Sequence, residues 1–421
     1  RRRSGTGMTI TSYPPLGYST SYPVNAKFGG VQVDAFGRLR ISSPYTLFDS
    51  QNRYAADGQF SSSTATGGTA AHNANKACVD MTVTTSSGSE AIRQSKRVFI
   101  YQPGKSLLVL ATFVMNAAKT NLRQRVGYFN TNNGIFFQVN NTTKSFIIRT
   151  YTGGSASDAR EVDQADWNGD KLDGTGPSGI TLDITKTQIF FTDMEWLGVG
   201  SVRCGFVLDG QFIVCHTFNN ANSQTAVYMQ TAILPIRYEI TNTGATASNS
   251  TMQQICSTVI SEGGFQEISR PYVAYVSTKV NVGTTATPII SIRLNSSYLG
   301  AVVIPSGTGF YPEDTGYYSL FLVKNGTLTN STWGATLSGG QVDVDTGATA
   351  ISFTTEDVIQ LDYTASSNQS RVSFNEASGY NWSLQLGSTV AGVSDIYTLA
   401  ANIDAGTGDV LGDIAFWNLT A

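Results

Sequence analysis

Asp193 and Glu195 stand two residues apart in the stretch Thr187–Phe218, TQIFFTDMEWLGVGSVRCGFVLDGQFIVCHTF. On an extended strand that spacing puts both carboxylates on one face, and paired carboxylates are what the acid and nucleophile roles of glycoside hydrolysis require. A neighbouring cation cancels that chemistry. Arg203, on the following strand, is the expected counter-charge, so the pair is read as neutralised. A second acidic run, Asp166-Trp167-Asn168-Gly169-Asp170-Lys171-Leu172-Asp173-Gly174, places oxygens at alternate positions as calcium loops do. It lacks the terminal bidentate glutamate and sets Lys171 among the ligands, which favours a solvated turn. With only His72 and His216 in the chain, a histidine triad or zinc site has few possible members, and His216 is read as structural. No phosphate-cradling glycine loop, dinucleotide fingerprint or CxxC pair occurs. The expectation is a non-enzymatic protein with no catalytic residue, no metal ligands and no cofactor.

The elements that hold these residues are strands. Ile189, Phe191, Asp193, Glu195 and Leu197 share one face of the first, and Phe190, Thr192, Met194 and Trp196 share the other. Apolar groups on both faces predict a central strand of a packed sheet. Leu-Gly-Val-Gly allows reversal into Ser201–Leu208, and Asp209-Gly210 is a strong signal for a two-residue turn with positive φ at both positions. A tight turn there predicts Cys204 opposite Cys215, Phe206 opposite Ile213 and Arg203 opposite His216. Cys78, Cys204, Cys215 and Cys256 are too few for a disulfide framework, so reduced, buried thiols are expected, with a Cys204–Cys215 bridge as the alternative.

Strand grammar extends along the chain. Gly 42, Tyr 19 and Phe 21 in 421 residues, with only 14% charged, argue for strands and turns. Regular strands are expected at 98–101, 106–115, 123–129, 134–139, 145–150, 226–234 and 236–241, with one more at 77–85 inside a Ser/Thr/Gly-rich stretch. Residues 61–271 are read as an antiparallel jelly-roll β-sandwich, concanavalin-like, and 272–421 as a smaller C-terminal β-sandwich. In the second, strands are expected at 287–294, 300–305, 317–324, 350–353, 358–363, 382–386, 396–400 and 413–417. No apolar run approaches the roughly 20 residues of a membrane helix, and the visible chain shows no secretory leader.

Residues 1–60 mix the Pro/Gly spacing of a loop with core-like apolar content, and are read as an extended N-terminal docking arm. Phe36, Leu39, Ile41, Leu47 and Phe48 are expected to pack against another chain, with Arg38 and Arg40 pairing across that contact. Charge fits such an arm. Residues 1–60 hold seven basic and three acidic side chains, whereas 275–421 hold four and twelve, which makes subunit contact through the arm possible.

The run VDAFGRLRISSPYTLFDSQNRY (Val33–Tyr54), with DWNGDKLDGTGPSG (Asp166–Gly179), Thr187–His216, LPIRYEI (Leu234–Ile240) and YTLAANIDAGTGDVLGDIAFWNL (Tyr397–Leu419), resembles virion structural proteins of tailed bacteriophages from aquatic hosts. The resemblance spans most of the chain and implies location and role, not chemistry. The expectation is a capsid-decorating, neck or tail-fibre component in a symmetric homo-oligomer, assembled in the host cytoplasm. Its partners would be other virion proteins and a possible host-surface glycan, with no nucleic acid and no membrane. Similarity to laminarinase-like hydrolases fails, because their Glu-x-Asp-x-x-Glu motif needs a third acidic residue where this chain continues Trp196-Leu197-Gly198. Two other classes remain open: a glycan-binding or depolymerising receptor protein, whose exposed Trp or Tyr would stack on sugars, and a secreted adhesin, which would need an export signal.

Overall fold

The computed structural model describes residues 43–334, 337, 339–366, 372–375 and 381–420. Among them the chain is all-β, interrupted only by four single-turn 3-10 segments. No helix among the described residues is long and apolar enough to cross a membrane.

Two sheets form the first sandwich. The eight-stranded sheet runs Gln211–Phe218, Val202–Leu208, Gln188–Met194, Leu107–Val114, Ser250–Ser261, Cys78–Val83 and Thr69–Asn73, and Tyr45–Gln51 pairs with the remaining half of Ser250–Ser261. The seven-stranded sheet runs Ser157–Asp163, Thr143–Thr150, Gly134–Asn140, Leu122–Phe129, Ile236–Asn242, Glu90–Ser95 and Phe60–Ala65. Every pairing is antiparallel, and the jumps in chain order are those of a jelly roll. Period-two alternation sends Phe190, Met194, Phe137, Phe146 and Tyr238 into one core. Its aromatic centre is dense. Phe137, Phe146, Phe190 and Phe206 lie with ring centroids 5.2–6.3 Å apart, each such pair worth about 0.5–1.5 kcal/mol beyond its area burial.

The second sandwich has its own core, from Ala274 to Phe416. One five-stranded sheet runs Arg270–Tyr275, Gly408–Asn418, Val303–Pro312 and Val372–Asn375, with Val280–Val282 also on Gly408–Asn418. The other runs Val342–Asp345, Thr287–Leu294, Ile396–Ile403, Gly316–Lys324 and Val358–Ser366. Trp382–Ser394 straps the two sandwiches together: Trp382 Nε1 donates to Tyr45 Oη at 3.0 Å, Gln385 Nε2 to Val98 O at 3.0 Å, and Val390 N to Ser61 Oγ at 3.0 Å. Arg97 answers from the first sandwich, donating to Trp382 O at 2.6 Å while its guanidinium covers the Phe48 ring.

Four expectations need correction. The end of the arm is not an arm: Leu47 and Phe48 are 3% and 2% exposed inside the core of the first sandwich, on a strand laddered to Ser250–Ser261. Their burial is intrachain because, among the described residues, Tyr45–Gln51 is the strand paired to that half of Ser250–Ser261 on its outer side. Phe36, Arg38, Leu39, Arg40 and Ile41 lie outside the described residues. Residues 226–232 are not strand, and only Ile233–Leu234 pairs there. The stretch 61–90 holds three strands instead of one. Residues 382–386 form a 3-10 turn within the strap instead of a strand.

Candidate functional site

The Asp209-Gly210 turn sits at the hairpin tip with φ of 50° and 77°. Pairing follows the expected register through Leu208 with Gln211 and Phe206 with Ile213, then breaks at a bulge between Cys204 and Gly205. Beyond it Cys204 faces His216, and Arg203 faces Thr217, one place off the sequence expectation. The cause is the Asp166–Asp173 loop. Gly169 N and Asp170 N donate to Cys215 O and Val214 O at 2.8 and 3.1 Å, taking over carbonyls of the bulged strand. A Cβ on Gly169 would lie 2.3 Å from Val214 O, so only glycine fits there.

The acids of that loop are engaged by its own donors. Asp170 accepts from Leu172 N at 2.9 Å and Ser178 N at 2.7 Å, and Asp173 accepts from Thr175 N and Oγ1 at 2.9 and 2.6 Å. Burial raises the Asp170 pKa, but these donors outweigh it and hold the carboxyl below its usual range. Lys171 Nζ is spent on Ala165 O. Trp167 closes the end of the core, stacked on Phe146 at 4.2 Å. Among the described residues no group of three or more His, Cys, Asp or Glu is placed to hold a metal ion.

The carboxylate pair is divided between two environments. Asp193 is buried, faces Arg203 across the ladder, and is ion-paired to it. Glu195 lies past the strand end and is exposed. The structure therefore brings Arg203 to Asp193, as the sequence indicates, and does not gather the two acids in a cleft. His216 is nearly buried and its Nδ1 accepts from Asn168 N at 3.3 Å. Burial and the nearby Arg160 push its pKa down, so the neutral ring is favoured. His72 touches Asn52 O at 3.0 Å, on the far side of the sheet order. All four cysteines are free thiols. Burial pushes Cys204 up to about 12 and Cys78 up to about 11, leaving them protonated and unreactive near neutrality.

The outward face of the seven-stranded sheet holds a cluster that sequence reasoning missed. Glu239 takes Arg237 Nη2 at 2.8 Å, Arg123 Nη2 at 3.0 Å and Arg125 Nη1 at 3.4 Å. Arg149 grips Asp158 with two bonds of 2.7 Å, and Gln138 links Arg125 to Glu161. Arg125 and Arg149 lie over the Phe136 ring, and Arg237 over Phe129. Burial raises the Glu239 pKa, but Arg237, Arg125 and Arg123 overcome it and hold the carboxyl below its usual range. The carboxylates of Glu239 and Asp158 are answered by the arginines around them, so this part of the face is filled by its own side chains.

Open hollows remain among the described residues. One of about 430 Å³ lies where Tyr45–Gln51 ends on the eight-stranded sheet, lined by Leu110, Ile189, Ile255 and Cys256 with Asn52 and Arg53. A second, of about 620 Å³, lies between the sandwiches beside Arg97, Lys324 and Asp395. There Lys324 already pairs with Asp395 at 3.1 Å. A third, of about 470 Å³, lies on the second sandwich between Tyr317 and Tyr363.

The sequence matches no family model and no curated protein. Three of the solved structures similar to it are of low identity. The carbohydrate recognition domain of Emp47p is 11% identical, with 56% of this chain and 100% of that chain covered at a TM-score of 0.33. A beta-1,3-glucanase from Mycobacterium marinum is 9% identical, covering 51% and 98% at 0.34. A glycosyl hydrolase family 16 protein from Mycobacterium smegmatis is 9% identical, covering 51% and 100% at 0.33. The chain itself is a double β-sandwich whose larger half is a jelly roll.

Proposed function

We propose that this chain is a non-enzymatic structural component of a tailed-phage virion, carried on the particle surface and joined to its neighbours by residues 1–42 and by exposed sheet edges. The resemblance of Val33–Tyr54 and the other quoted motifs supports the setting. The observation that carries the assembly role is the edge strand Arg270–Tyr275. Val273 and Tyr275 share one of its faces at 48% and 67% exposure, Ile268 just before them is 70% exposed, and among the described residues the strand's outer ladder groups have no partner strand. An apolar, unpaired edge is a template for another chain. The Asp193–Arg203 ion pair argues in the same direction, since it removes one acid from the only pair that glycoside chemistry had suggested.

The test is removal of residues 1–42, which spares the strand Tyr45–Gln51 of the first sandwich. The truncated chain should stay soluble and β-rich by circular dichroism but be missing from purified particles. Incorporation at normal copy number would refute the docking role of that segment.

A further inference from the structure

We propose that the second sandwich carries a binding site for a neutral glycan, seated between Tyr317 and Tyr363; the proposal deepens the virion-surface reading and rests on it for its biological setting. Gly316–Lys324 and Val358–Ser366 pair so that Ser319 faces Tyr363 and Tyr317 faces Ala365. Opposite residues of a ladder share a face, so all four project outward together. The tyrosines occupy one diagonal, roughly 7–8 Å apart at Cα, and the two small side chains occupy the other. Two rings, 68% and 71% exposed, thus flank a low floor and enclose the hollow of about 470 Å³. That volume lies within the usual range for small-ligand sites.

The polar groups of the hollow specify what would fill it. Asn402 stands opposite Ser319 on the neighbouring strand, and its Nδ2 donates to Thr284 O at 3.2 Å. This fixes the amide so that Oδ1 is the acceptor, and Oδ1 has no hydrogen-bond partner among the described residues. Asp404, held beside Tyr317 by its backbone N–H on Tyr317 O at 3.0 Å, adds a second acceptor at the rim. Among the described residues no lysine or arginine lines the hollow. Four basic against twelve acidic residues over 275–421 repel phosphate, sulfate and uronate groups. What remains is a ligand with apolar faces for two aromatic rings, hydroxyls to donate and no negative charge. A neutral sugar ring has all three.

The full chain would be applied to an array of neutral oligosaccharides that includes maltohexaose, chitohexaose and cellohexaose, and each positive glycan titrated by calorimetry. At least one should bind. Tyr317→Ala and Tyr363→Ala should each weaken it tenfold or more, Tyr→Phe at either position should stay within threefold, and Asn402→Ala should weaken it, all with unchanged circular dichroism. Failure of every neutral glycan, equal binding by the double alanine variant, or binding of anionic glycans alone overturns the site. So does a Tyr363→Ala effect confined to self-association in sedimentation, which would assign this face to a second copy. Absence of the chain from particles would refute the virion reading and leave a positive glycan result standing, whereas a particle-borne chain that binds no neutral glycan refutes only the site.

Discussion

The outward faces of two sheets in this molecule treat their side chains in opposite ways. On the seven-stranded sheet Arg123, Arg125, Arg149 and Arg237 are folded down over Phe129 and Phe136 and tied to Glu239 and Asp158, so a face rich in charge is closed. On the sheet that carries Gly316–Lys324 a face poor in charge stays open, and its tyrosines stand in solvent. Charge on a strand is thus a poor guide to availability. What decides is whether each group finds a complement within its own sheet.

The sharpest way to break this contrast is Glu239→Gln, which keeps the shape of the side chain but removes the charge that three guanidiniums share. Leaving buried cations uncompensated should cost about 3–5 kcal/mol, read as a fall in the urea midpoint at constant slope. A loss below about 1 kcal/mol would mean that the layer is solvated after all. The same carboxylate gives an acid limb. Its folded pKa lies below the ordinary 4.5, so its contribution is complete above that value and lost as pH falls from there.

A smaller effect is expected from His216. Its folded pKa is depressed below 6.5, so the unfolded chain takes up the proton first. The contribution is complete above pH 6.5 and declines as pH falls from there, and melting temperature should drop between pH 7 and 5. His216→Gln should flatten that slope; an unchanged slope would place its origin elsewhere. The smallest effect belongs to the open face, where Tyr317→Ala and Tyr363→Ala should each move unfolding free energy by no more than about 0.5 kcal/mol. A larger loss would show that these rings support the sandwich.

Much of the fold was legible where physics is local. The Asp-Gly tip, the alternation of Gln188–Met194 and the bounds of Thr287–Leu294 follow from turn chemistry and period two. The Asp193–Arg203 pairing was also readable, because adjacent strands of a hairpin-rich sheet had to bring them close. The bulge was not, since it depends on amides delivered from Gly169 and Asp170, remote in sequence. Ser250–Ser261 escaped notice because its inward positions include the polar Gln254, whose burial makes sense only once Arg93 reaches its Oε1 at 2.6 Å. Leu47 and Phe48 were read as packing against another chain for the same reason: their partners arrive some 200 residues later along the chain, as Thr258 Oγ1 on Phe48 O illustrates. The arginine layer looks in sequence like an ordinary wet face, because alternating Arg and Glu carry no sign of the rings beneath them. In the second sandwich Tyr317 and Tyr363 are unremarkable strand residues until pairing puts them on one diagonal.

The strap has a consequence for timing. Arg97 and its acceptor Trp382 O are separated by 285 residues. At synthesis rates of about 5–20 residues per second, the first sandwich would wait roughly 15–60 s after Arg97 is made before that carbonyl exists. Throughout that interval Tyr45 and the Val98 carbonyl lack their eventual partners, so the nascent chain carries an unfinished seam. Holding factors would act there, and a pause in translation before Trp382 would lengthen the exposure.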